Sequence, residues 1–83
     1  MKFNNVELNL ETIEKTRLWF YDNAFDCIEE VTTGKVKVNN LKEYIDWQKQ
    51  RAEQALTGDF DYTFTFMQRA YFIQTGKDVA LLS

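Results

Sequence analysis

The sequence predicts a small all-α domain: three helices joined by short connectors. Three observations carry this. Two long segments place apolar residues at three- and four-residue spacing, an asparagine that can cap a helix precedes each, and Gly34, Gly58 and Gly76 stand where the periodic runs stop. An 83-residue chain has room for one hydrophobic core, so residues 1–83 are expected to form a single domain.

The first helix is expected over residues 9–33. Asn9 can cap it, Glu11 and Glu14 sit where the positive end of the helix dipole favours carboxylates, and Gly34 ends it. Leu10, Ile13, Phe20, Tyr21, Ala24, Cys27, Ile28 and Val31 share one broad face, opposite Glu11, Lys15, Asp22, Asp26, Glu29 and Glu30. Residues 35–39, Lys-Val-Lys-Val-Asn, alternate like a strand but have no obvious strand beside them, so they are expected as a connector. Asn40 and, three residues on, Glu43 resemble a capping box that opens a second helix from Leu41 to about Leu56, closed by Gly58. Its inner face would hold Leu41, Tyr44, Ile45, Ala52, Ala55 and Leu56, with Trp47 flanking that face as a core residue.

A third helix is expected from Asp59 or Phe60 to Thr75, with Phe60, Phe64, Met67, Ala70, Tyr71 and Ile73 on its wide apolar side. Val79 to Leu82 would form a short tail packed back on the bundle. The alternation from Phe60 to Phe66 also fits a half-buried strand. Paired with the Val6-x-Leu8-x-Leu10 alternation, it gives the alternative α+β fold, with a small antiparallel sheet from residues 3–10 and 60–66.

Composition narrows the function classes. Apolar residues are 45% and aromatics 16% of the chain, which argues against disorder. Cys27 is the only cysteine, so no internal disulfide can form and a reducing, cytoplasmic setting fits best. Neither an apolar signal region nor a run long enough to span a bilayer is present, so no membrane partner is expected. Without histidine, imidazole catalysis is excluded, and one thiol cannot supply a tetrahedral zinc site. No acidic calcium loop occurs, so neither metal nor cofactor is expected. Catalysis would have to rest on carboxylate pairs such as Asp22 with Asp26 or Asp59 with Asp61, acids that nothing in the sequence primes for proton transfer. Each glycine ends an element and none cradles a phosphate. Cys27, on the buried face, would be an inert small hydrophobe. The sequence therefore points away from an enzyme.

Three features are candidates for binding. Asp22, Asp26, Glu29 and Glu30 follow one another along the first helix with no basic residue between Leu18 and Gly34. Residues 1–34 carry three basic and seven acidic groups, residues 35–58 five and three, so the negative field is concentrated on the first helix. Such a face can stand in for phosphates, or it can simply be solvated. Trp19 falls among polar residues on the wheel, either as an interface anchor or beneath a neighbouring loop or the N-terminal segment. Arg17 lies in the middle of the apolar face, where it must snorkel to water, pair with a carboxylate or meet another chain in a dimer. Tyr62, Phe64, Phe66, Arg69 and Tyr71 mix rings with one cation, but the acidity of the whole chain disfavours direct nucleic-acid binding. Lys35, Lys37, Lys42, Lys49 and Arg51 form the one basic cluster and could dock the acidic face of a second copy.

One tiny, acidic, aromatic-rich domain without catalytic residues resembles, in general character, the small phage and mobile-element inhibitors of host defence, the anti-CRISPR and anti-restriction proteins among them. No motif carries the likeness and no residue role transfers with it. It implies a stoichiometric inhibitor in the host cytoplasm that occludes a site on a nucleic-acid-handling complex. The expected contact residues are Trp19, Asp22, Asp26, Glu29 and Glu30. Two alternatives stand beside it: a structural or homodimerising module with no external target, and a small DNA-binding regulator.

Overall fold

In a computed structural model, which describes residues 2–60 and 63–79, the chain forms an N-terminal β-hairpin followed by three helices. Strands β1 (Lys2–Phe3) and β2 (Val6–Glu7) pair antiparallel, Lys2 opposite Glu7 and Phe3 opposite Val6. Asn4 and Asn5 make the two-residue turn between them with φ of 52° and 65°. Two successive left-handed residues define the hairpin turn whose twist matches the strands, and asparagine tolerates that region better than most side chains. The hairpin is thus closed by residues 2–7 alone, and among the described residues no strand from 60–66 joins it, so the small antiparallel sheet comes from residues 2–7 and not from the alternative pairing of 3–10 with 60–66.

Helix α1 runs Leu10–Thr32. The Oδ1 of Asn9 accepts from the Thr12 amide at 2.8 Å and the Thr12 hydroxyl at 2.9 Å. Gln74 joins this start to the third helix: its Oε1 lies 3.0 Å from Thr12 Oγ1, whose single proton it shares with Asn9 Oδ1, and accepts from the Asn9 amide at 3.3 Å, and its Nε2 donates to the Glu7 carbonyl at 2.8 Å. Asn9→Ala removes the acceptor that satisfies the first turn and is expected to lower stability by about 0.5–2 kcal/mol, whereas Asn9→Gly should recover most of it. Urea denaturation of the three proteins checks this, and equal midpoints would show that the cap contributes nothing.

Helix α2 is Leu41–Thr57, capped by Asn40, whose Oδ1 accepts from the Glu43 amide at 3.1 Å. It ends at Gly58, where φ of 88° lets the amide return to the Gln54 carbonyl at 3.0 Å. Residues 33–40 connect α1 to α2 without forming a strand.

The third helix, α3, is Phe64–Thr75 and starts later than the periodicity suggests. Thr63 is the reason. Its hydroxyl accepts from the Phe66 amide at 3.2 Å, while its amide and hydroxyl both donate to the Phe60 carbonyl at 3.1 Å, so the chain turns before the helix begins. The strand alternative fails for the same reason, since Phe64–Phe66 belong to the helix; Asp61 and Tyr62 lie outside the described residues. So do residues 80–82 of the expected tail, while Val79 is half-buried.

The core is built from Leu8, Ile13, Phe20, Ala55, Phe66, Met67 and Ala70, with Phe3, Val6, Trp19, Tyr21 and Phe60 packed around it. Phe20 stacks on Phe60 at 5.1 Å and faces Phe66 at 6.1 Å. Phe3 meets Phe64 and Tyr71 edge-on, which seats the hairpin on α3. Thr16 is fully buried, and its hydroxyl is satisfied by the Thr12 carbonyl at 2.7 Å.

Several residues assigned inward by periodicity face out. Leu10 is 84% exposed, Leu56 56%, Leu41 47% and Phe64 64%, and Trp47, expected in the core, is 53% exposed. Cys27 and Ile28 are half-buried. The helices differ in length: the 23 residues of α1 span roughly 35 Å and the 12 of α3 roughly 18 Å, so the longer helices have ends and flanks that no described element covers. The Cα radius of gyration, 14.3 Å, exceeds the about 12 Å of a spherical domain this size. Among the described residues no helix is long and apolar enough to cross a membrane.

Candidate functional site

Helix α1 presents its outer side as a continuous exposed strip. Leu18, Asp22, Phe25 and Glu29, at steps of four, three and four residues, project together, with Asp26 beside them. Leu18 is 56% and Phe25 43% exposed, so apolar groups alternate with carboxylates along it. Sequence reasoning named the acids and missed the two apolar residues, whose exposure is set by where α2 and α3 lie against α1. One turn before the strip, Glu11 pairs with Lys15 at 2.9 Å, and this ammonium holds the Glu11 carboxyl below its ordinary value.

The five expected contact residues do not form one cluster. Asp26, Glu29 and Glu30 line a single shallow depression at the end of α1 together with Thr33 and Lys35. Lys35 thus places a cation among acids that the linear sequence shows without one. Asp22 is exposed further along the helix. Trp19 lies on a different flank. Of the two placements open to it, exposed anchor or covered ring, it takes a covered one: it is half-buried, edge-on to Phe20 at 5.1 Å, with the Arg69 guanidinium 3.9 Å above its ring. The cover comes from α3, 50 residues away in sequence, and no local pattern could announce it. Arg17 is half-buried and is not without a partner.

On that flank α1, α2 and α3 enclose an open groove of about 470 Å³, lined among others by Trp19, Asn23, Arg51, Gln68, Arg69 and Phe72. Arg51 belonged to the expected basic cluster, but two residues from Lys49 on a helix means nearly opposite sides, and it turns into the groove. Its Nη1 donates to Gln48 Oε1 at 2.7 Å, and Gln48, almost fully buried, donates to the Tyr44 hydroxyl at 2.9 Å. Among the described residues no group of three or more histidine, cysteine or acidic side chains is placed to hold a metal ion.

Fold and surfaces together define a small all-α domain with a β-hairpin at its start and two chemically distinct exposed regions, an acidic strip and a cationic, aromatic groove. Comparison with protein-family models, with curated proteins and with solved structures finds no significant match. The roles of these side chains therefore rest on their own chemistry.

Proposed function

We propose that this chain is a non-catalytic protein-binding domain whose α1 strip occludes a basic, nucleic-acid-binding site on a larger host assembly, in the manner of the small phage and mobile-element inhibitors. The observation that carries it is the strip itself: Leu18 and Phe25 exposed in alternation with Asp22, Asp26 and Glu29 on one helix. Carboxylates at helical spacing offer charges to a surface that holds phosphates, and the apolar pair supplies contact area that nucleic acid would not. The position of Glu29 supports the reading as well. It stands in the last turns of α1, where the negative end of the helix dipole disfavours an anion.

The test replaces Asp22, Asp26 and Glu29 with lysine. Wild-type protein used as bait is expected to retain a nucleic-acid-handling complex from lysate of its own host and to block that complex's binding of nucleic acid at one-to-one ratio. The variant should lose both effects while its thermal midpoint stays level or rises, because lysine suits a helix C-terminus. Undiminished capture and inhibition by the variant would remove the strip from the mechanism.

A further inference from the structure

We infer that the groove between the three helices is a second binding site, which takes a carboxylate-bearing, partly apolar segment of a protein partner through Arg69 and Arg51. This site does not depend on the α1 strip.

The fixed state of the two arginines carries the inference. Arg69 is held between rings, 3.9 Å over Trp19 and 5.2 Å from Phe72. Its Nε is buried without a hydrogen-bond partner, and no described carboxylate forms an ion pair with it. A buried donor left unmet is costly, and a guanidinium stacked between aromatics is held in one orientation whether or not an anion is present. Arg51 is likewise positioned: buried Gln48 holds its Nη1, and its Cζ lies 5.2 Å over Trp47. Two planar forks, both fixed and neither paired with a described acid, border one open cavity in a chain where acidic groups outnumber basic ones. Guanidinium forks match carboxylates in bidentate geometry, and the entropic cost of ordering them has been met by the stacking.

The choice of occupant follows from the charge and the walls. Asp78 lines the same groove, and Asp22 and Asp26 lie within one turn of Asn23 on α1, so a string of phosphates would meet repulsion on either side. One or two carboxylates match the local balance. Trp19, Phe20 and Phe72 offer an apolar wall for a neighbouring side chain of the same segment. Tryptophan and arginine together are also the residues most enriched where binding energy concentrates.

The experiment uses the isotope-labelled full chain and a capped hexapeptide with two acidic residues among apolar ones, Glu-Phe-Asp-Leu-Ser-Phe. Controls are the same peptide with glutamine and asparagine in place of the acids, inorganic phosphate, and a short single-stranded oligonucleotide. Saturable shifts of the Arg69 Nε–H and Trp19 indole resonances are expected with the acidic peptide, with affinity at least about tenfold weaker for the amide peptide. Arg69→Gln and Arg51→Gln should each weaken binding, and Arg69→Lys should fail to restore it because the fork is lost. If Arg69→Gln unfolds, Arg51→Gln with the amide peptide decides alone. Asp22→Asn with Asp26→Asn should not weaken peptide binding, which separates this site from the α1 strip. Equal shifts from the amide peptide, no saturation, or tighter binding of phosphate or oligonucleotide would overturn the assignment.

Discussion

Phe20→Ala is expected to lower stability by about 3–5 kcal/mol, the range for removing a large ring from a closed core. Phe20 is 4% exposed, and it stacks on Phe60 and faces Phe66, so its loss opens a hole that three elements share. A domain of this length holds roughly 4–12 kcal/mol in all, so the variant should be close to unfolding at body temperature. Its thermal midpoint should fall by about 15 °C or more. Phe64→Ala provides the comparison, since that ring is 64% exposed and contacts chiefly Phe3. Circular dichroism melts of both variants measure the difference. Similar midpoints would mean that the aromatic stack is not the centre of the core.

Ala55→Leu is expected to be the next most damaging change, at about 1–3 kcal/mol, through overfilling and not through a hole. Ala55 is fully buried in the core cluster, and Ala24 on α1 and Ala70 on α3 are equally inaccessible. These small side chains let the helix backbones approach closely, so three added carbons have nowhere to go without moving a helix. Leucine is nearly as good a helix former as alanine, and propensity therefore cannot account for the loss. The urea midpoint should fall while the same substitution at exposed Lys49 leaves it within experimental error. A midpoint for Ala55→Leu equal to wild type would show that the α1–α2 contact has room to spare.

Both changes act at positions the sequence marked as apolar, yet it ranked them poorly. Ala55 and Leu56 were placed on the same inner face; Ala55 is inaccessible and Leu56 is 56% exposed. Periodicity gives the direction of a side chain from its own helix axis, and whether a neighbour lies in that direction depends on a second helix it does not describe. The acidic strip was half legible for a related reason. Charge is visible residue by residue, but the exposure of Leu18 and Phe25 follows only once α2 and α3 are known to cover the other side of α1. The groove was not legible at all, because Trp19, Arg51 and Arg69 come from three different elements.

What the sequence determined by itself is local: Asn9 and Asn40 as caps, Gly58 and Gly76 as left-handed ends, the helical period of α1 and α2, and the lack of any imidazole. Each depends on hydrogen bonds or dihedral angles within a few residues, which neighbouring side chains are enough to set. Tertiary structure decided the rest. It slid Arg69 over Trp19 and left Leu56 and Trp47 outside. Those outcomes depend on which surfaces meet across tens of residues, and the burial of shared apolar area that selects among them exists only when the helices have come together.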